Sequence, residues 1–185
     1  VLMAEPLNAT LYQYGRFTEF DTRMAALSLM GLSIGLPGFM LAKVLAPAFY
    51  ARQDTRAPVR AAVLTVIANL ALMAAITGFL AWRGVEGAHA GIALATALAG
   101  TLNAVLLWRA LGREGRHRPS PGWPRFLSRT ALASLAMVGF LLWARHEVGA
   151  WSALAPAWRV IHLAWIVAGS AAIYAVALLA AGMRP

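Results

Sequence analysis

The stretch AKVLAPAFYARQDTRAPVR, Ala42 to Arg60, gathers one lysine, three arginines, one aspartate and two prolines between long apolar runs. Outside it the chain is overwhelmingly greasy. Of its 185 residues 61% are hydrophobic and 12% charged, and the mean hydropathy is +0.66. A soluble domain holds about 45–50% apolar and about 25% charged residues, and a chain of this size still needs a polar exterior. The excess calls for hydrocarbon as solvent. In that setting charge and proline collect where the chain turns at the membrane surface, so YARQDTRAPVR reads as a hairpin between two spans. Arg52, Arg56 and Arg60 anchor it at headgroup level with Asp54 among them. Pro58 fits the first turn of the next helix, where no amide partner is lost.

Working outward, a bilayer crossing needs about 20 mostly apolar residues. Five runs qualify: Met24–Tyr50, Ala61–Trp82, Ala88–Leu111, Phe126–Trp143 and Val160–Met183. The expected fold is an all-α polytopic membrane protein with about five transmembrane helices. Residues 1–23 are expected to finish a preceding span and form a loop, and 24–111 to form three helices. Residues 112–129 are expected as a basic loop and 130–185 as two additional peripheral helices. The start, VLMAEP, has neither an initiator methionine nor a signal-peptide pattern, so the front of a longer protein is expected to be missing. Thr18, Glu19 and Asp21 form an N-terminal cap signal. Pro37 and Pro47 remove backbone bonds inside the first span and predict a kink. Arg129 and Arg145 flank the short fourth span and are expected to snorkel to opposite interfaces.

Orientation follows from the cations. With loops alternating, one side collects eleven of the sixteen lysines and arginines: Lys43, Arg52, Arg56, Arg60, Arg109, Arg113, Arg116, Arg118, Arg125, Arg129 and Arg184. The other holds Arg16, Arg23, Arg83, Arg145 and Arg159. The richer side is expected to be cytoplasmic. Trp82, Trp108, Trp123, Trp143, Trp151 and Trp158 fall near expected helix ends, where amphipathic rings favour the interface; only Trp165 lies deeper. The formal charge of +9 does not imply nucleic acid, because the arginines alternate with apolar runs instead of covering one face of a soluble fold.

Enzymatic chemistry finds little support. The seven acids, Glu5, Glu19, Asp21, Asp54, Glu86, Glu114 and Glu147, all fall at loops or helix ends, leaving no intramembrane acid–base pair. The histidines show no metal-ligand spacing, and with no cysteine thiolate sites are excluded. No metal or cofactor is expected. Polar groups within spans are more informative. Thr65, Asn69, Met73 and Thr77 recur every four residues along the second span, and Thr96, Gly100 and Asn103 share a face of the third. Asn69 and Asn103 each lie roughly 12 Å from the same end of antiparallel helices. They either hydrogen-bond each other as helix glue or line one polar path. Lys43, about two turns inside the first span, snorkels or faces a wet cavity. The small residues of the third span, from Gly91 to Ala104, place it inside the bundle. The basic loop Arg109–Arg129 is a topology signal or a site for anionic lipid headgroups.

These residues resemble a known family. KVLAPAFYARQDTRAPVR looks like the signature hairpin of the MurJ (MviN) lipid II flippases, and LYQYGRFTEFDT (Leu11–Thr22) and GIALATALAGTLNAVLLW (Gly91–Trp108) match that family's pattern. PGWPRF (Pro121–Phe126) is a local echo in the rear part. The resemblance implies a fourteen-helix, two-lobe transporter of the multidrug/oligosaccharidyl-lipid/polysaccharide exporter superfamily. This chain would supply spans ten to fourteen, and the missing N-terminal lobe would carry most of the cavity arginines. It implies lipid II, the undecaprenyl-pyrophosphate-linked disaccharide-pentapeptide, as substrate and membrane lipids as partners. It also implies a multi-pass location in the bacterial cytoplasmic (inner) membrane and alternating access without covalent chemistry. The last two helices would then form a groove for the lipid tail. Some members hold sodium with an Asn, an Asp one turn on and a Thr. Asn69 and Thr96 match, but Met73 stands where the carboxylate would be, which weakens a sodium site because a hard cation wants charged oxygen ligands. An exporter of another lipid-linked glycan or of drugs, or a non-transporting membrane scaffold, are the alternative functions.

Overall fold

A computed structural model describes residues 1–85, 87–113, 122–149, 151 and 154–182. Among them the chain forms six helices: α1 (Ala4–Tyr12), α2 (Glu19–Tyr50), α3 (Arg56–Trp82), α4 (Ala90–Arg113), α5 (Trp123–Val148) and α6 (Pro156–Ala180). The last five are long and apolar enough to cross a membrane, as expected for an all-α polytopic membrane protein. Most ends differ from the expected ones for local reasons. α2 begins at Glu19 because Thr18 and Asp21 close a reciprocal cap. The Thr18 hydroxyl accepts from the Asp21 amide at 3.2 Å, and the Asp21 carboxylate accepts from the Thr18 amide and hydroxyl, both at 2.8 Å. This is the capping-box arrangement with aspartate in place of glutamate. α5 begins at Trp123 and α6 at Pro156, each with proline in its first two positions, where the missing amide costs nothing. The expected loop 112–129 is therefore helical at both ends, and residues 114–121, its centre, lie outside the described residues, as do Glu86 and Arg184. α2 continues through both Pro37 and Pro47.

The chain divides into two compact units, one covering Met24–His117 and the other Leu2–Arg23 with Arg118–Pro185. In the first, α4 is the central helix: 39% of its most apolar window is buried, against 0% for α3. One face of α4 meets a glycine stripe on α2. A Cβ added at Gly35 would come within 2.5 Å of the Ala97 Cα, and one at Gly38 within 2.7 Å of the Thr101 Cα. One at Gly31 would meet the backbone of Leu94 and Ala90. Because 31, 35 and 38 advance together with 93, 97 and 101, the two helices run parallel, backbone against backbone. The same register continues into a cluster of Leu45, Phe49, Leu107 and Leu111. In return Gly100 of α4 gives way to the ring of Phe39. The opposite face of α4 receives α3 antiparallel, with Gly91 beneath Ile76, Thr77 and Leu80. Ala61 of α3 joins the cluster at the other end. The outer face of α3, with Val63, Ile67 and Leu70 more than half exposed, is a continuous apolar surface that only lipid or other protein can cover.

The second unit is the antiparallel pair α5–α6 with α1 set against it. Gly169 lets Phe140 seat close to α6, and Phe140, Trp143 and Trp165 form an aromatic cluster with centroids 5.6–6.2 Å apart. Two residues beside helix ends have partners that their place in the sequence did not announce. Trp151 is buried, and its indole donates to the Thr10 hydroxyl at 3.0 Å. Arg159, counted as a topology charge, is only 7% exposed. Its guanidinium donates to the Leu154 carbonyl at 2.9 Å, the Ala9 carbonyl at 3.4 Å and the Gln13 amide oxygen at 3.2 Å. It thereby satisfies orphan acceptors at the end of α1, where a cation also opposes the helix dipole. The two arginines expected to snorkel also have protein partners. Arg145 meets Glu5 at 3.6 Å and the Leu2 carbonyl at 3.3 Å, and Arg129 reaches the Gly182 carbonyl at 3.4 Å.

The glycine contact is directly testable. In the full-length protein, Gly35→Ala forces α2 and α4 apart and is expected to cost about 1–3 kcal/mol of stability. Gly78→Ala, with nothing within 4 Å of the new methyl, is expected to be neutral or to stabilise by up to about 1 kcal/mol. Thermal melting of the two variants in one detergent reads the difference in sign.

Candidate functional site

Two groups of residues stand out in the first unit, the α2–α3 hairpin and the polar groups between α3 and α4. The hairpin is built by paired caps. Past Tyr50 the chain closes a Schellman turn, with the Gln53 amide donating to the Tyr50 carbonyl and the Asp54 amide to the Phe49 carbonyl, at 3.0 and 3.1 Å. Gln53 carries φ 58°, the left-handed conformation that usually selects glycine at this position. Asp54 then turns its carboxylate onto α3, accepting from the amides of Arg56 and Ala57 at 2.9 and 3.3 Å. Thr55, the residue in the cap position, makes no such bond. Pro58 is buried in the first turn, as its missing amide predicts. Arg52, Arg56 and Arg60 are all exposed. Asp54 thus has a structural duty that the sequence reading did not assign, although an aspartate just before a helix is the signal for it.

Between α3 and α4 the helices are lined with small and polar groups. Thr65, Asn69, Met73 and Thr77 are all half-buried, so the four-residue stripe is the face that α3 turns inward. The hydroxyls of Thr65 and Thr96 donate back to the carbonyls of Ala61 and Ile92 at 2.7 and 2.9 Å. Among the described residues, three buried side-chain oxygens have no hydrogen-bond partner: Asn69 Oδ1, Thr77 Oγ1 and Asn103 Oδ1. All three belong to this helix pair. Of the two readings of Asn69 and Asn103, the direct bond between them is not formed. The reason is register: Gly91 lies against Thr77 and Ala61 clusters with Leu107, which sets Asn69 level with Ala99 and Asn103 level with Thr65. The two amides miss each other by about one turn, ~6 Å along the axis. α3 starts five residues earlier than expected and α4 ends two later, so equal depth from the helix ends did not follow. Lys43 is exposed on α2.

A buried carbonyl or hydroxyl oxygen left unpaired costs on the order of 1–3 kcal/mol, so three in one seam is an expensive arrangement for helices that could pack with leucine and alanine. Such a seam can accept hydrogen bonds from water or from a polar ligand. Met73 supplies no charged oxygen beside Asn69, and the Thr96 hydroxyl spends its proton on the Ile92 carbonyl of its own helix. Among the described residues no cluster of three His, Cys, Asp or Glu is grouped to hold a metal. Missed in the sequence reading was the partner of the small-residue helix, the stripe Gly31, Gly35 and Gly38; its three- and four-residue spacing was the available signal.

Comparison with known proteins gives a consistent result. The family model described as "Lipid II flippase MurJ" matches residues 1–169. A probable lipid II flippase MurJ of Vibrio cholerae is 34% identical over 184 residues, 100% of this chain and 34% of that protein. The lipid II flippase MurJ of Burkholderia cenocepacia is 37% identical over 144 residues, 76% of this chain and 26% of that protein. A probable lipid II flippase MurJ of Haemophilus influenzae is 31% identical over 183 residues, 99% of this chain. The chain spans about a third of the length of these relatives.

The hairpin caps predict opposite effects at adjacent positions. Gln53→Gly is expected to relieve left-handed strain and stabilise the full-length protein by roughly 1 kcal/mol. Asp54→Ala is expected to cost about 1 kcal/mol through two uncapped amides. Thermal denaturation in detergent measures both, and Asp54→Asn, which retains an acceptor oxygen, is expected to recover most of the loss.

Proposed function

Because this chain belongs to the lipid II flippase MurJ family, we propose that it is the C-terminal part of a transporter that moves lipid II from the cytoplasmic to the periplasmic leaflet. The work is translocation by alternating access, with no bond made or broken. It takes place in the bacterial inner membrane, with the missing N-terminal lobe supplying the rest of the cavity. The physical problem is desolvation. A sugar-peptide-pyrophosphate head cannot cross about 30 Å of hydrocarbon at reasonable cost, so the protein must present a wet, polar path while the prenyl tail stays in lipid.

One observation supports a contribution from this chain: the unpaired oxygens of Asn69, Thr77 and Asn103, three polar acceptors held between two largely apolar helices. In this reading they are lined up for water or for the passing head, and Lys43 adds a cation on α2. Met73, which brings no charged oxygen beside Asn69, argues against sodium coordination there. The exposed arginines Arg52, Arg56 and Arg60 hold the α2–α3 hairpin at the cytoplasmic surface.

The decisive experiment uses the full-length protein. Depletion is expected to leave lipid II accumulated in the inner leaflet, and normal translocation under depletion would favour export of a different lipid-linked glycan. Asn69→Leu is expected to slow translocation about tenfold, equivalent to about 1.4 kcal/mol in the barrier, while thermal stability holds or rises. Unchanged translocation with raised stability would make Asn69 a packing residue. A cysteine at Gln53 is expected to react with an impermeant thiol reagent only from the cytoplasmic side, and one at Val85 only from the periplasmic side.

A further inference from the structure

A second site lies in the α5–α6 unit. A cleft of about 380 Å³ opens between the last turn of α5 and the first three turns of α6. Its walls are Val148, Ile161, Trp158 and Trp165, and its two polar groups are Glu147 and His162. The aromatic walls are held in place, Trp165 against Phe140 and Trp143, and Trp158 against the His162 ring at 5.9 Å.

The polar groups share one character. His162 Nδ1 lies 2.8 Å from the Trp158 carbonyl. A carbonyl only accepts, so Nδ1 carries the proton and, in the neutral ring, Nε2 presents a lone pair. Glu147 makes no ion pair with any described residue, and the nearby arginines are committed elsewhere. Arg145 is bonded to Glu5 and Leu2, and Arg159 to the end of α1 and the Leu154 carbonyl. The cleft therefore offers a carboxylate, an imidazole acceptor and two indole faces, with no Lys or Arg among the described residues that line it. Each of these attracts a positive charge that can donate hydrogen bonds. The site lies where two spanning helices end, so the charge must stand at the membrane–water boundary, with apolar wall continuing along α6 past Ile161 and Trp165.

We propose that this cleft binds a phospholipid with a primary ammonium headgroup. The ammonium sits against Glu147 and His162 Nε2 beneath the tryptophans, and an acyl chain lies along α6. The proposal concerns binding alone and does not depend on which molecule the whole protein translocates.

The test is native mass spectrometry of the full-length protein in detergent, offered phosphatidylethanolamine and phosphatidylglycerol with matched acyl chains. Retention is expected to favour phosphatidylethanolamine about fivefold. Glu147→Gln is expected to reduce that preference to less than twofold, while Trp158→Leu lowers retention of both lipids. Equal retention of the two lipids, or a preference that survives Glu147→Gln, would overturn the proposal. So would a polyprenyl pyrophosphate displacing both, since the cleft would then be a tail site. Failure to retain any lipid would also overturn it, since the cleft would then be filled by the rest of the chain. Translocation assayed on the Glu147→Gln protein separates this site from the polar seam: it is expected to remain within twofold of the parent.

Discussion

Backbone-to-backbone contact between α2 and α4 is the constraint on which the first unit depends. In lipid, apolar side chains gain nothing by leaving one hydrocarbon environment for another, so helices associate through close packing and hydrogen bonds. Gly31, Gly35 and Gly38 remove every side chain that would hold α2 away from Ala93, Ala97 and Thr101. That proximity sets the parallel register of α2 and α4. It also makes α4 the central helix and leaves its far face for α3. The position of the polar seam between α3 and α4 is a consequence of this order.

Polar groups in the molecule fall into two classes according to whether they have been satisfied. In the α5–α6 unit nearly every buried one is spent. Trp151 donates to Thr10, Arg159 to the carbonyls at the end of α1, and Asn8 and Thr10 to their own helix. This is the pattern of a structural joint, because a buried cation is tolerable only when fully bonded. The α3–α4 seam does the reverse, leaving Asn69, Thr77 and Asn103 with unused acceptors. The hydrogen-bond accounting separates fastening from possible function.

Much of the architecture was legible in advance, and the misses have specific causes. The five spans were visible because hydrocarbon demands about 20 apolar residues in a row, and the Thr18–Asp21 cap because its spacing is local. The starts of α5 and α6 were expected too far along the chain, because uninterrupted apolar runs begin only after Trp123–Pro124 and Ala155–Pro156, where proline opens a helix. Arg159 was counted only as a topology charge because nothing in its neighbourhood along the chain announces acceptors 146 to 150 residues away. The separation of Asn69 from Asn103 was misjudged because it depends on how α3 slides against α4, and residue counting from helix ends assumes that slide to be zero.

What the linear order of residues determined by itself is the solvent and the local turns: apolar length selects the bilayer, and caps such as Thr18, Asp54 and Pro58 act within a few residues of themselves. Tertiary structure alone decided which polar groups have partners. A hydrogen bond is satisfied at about 3 Å or not at all, and a slide of one helical turn moves a side chain by about 5.4 Å, enough to turn bonded amides into free acceptors without changing a single residue.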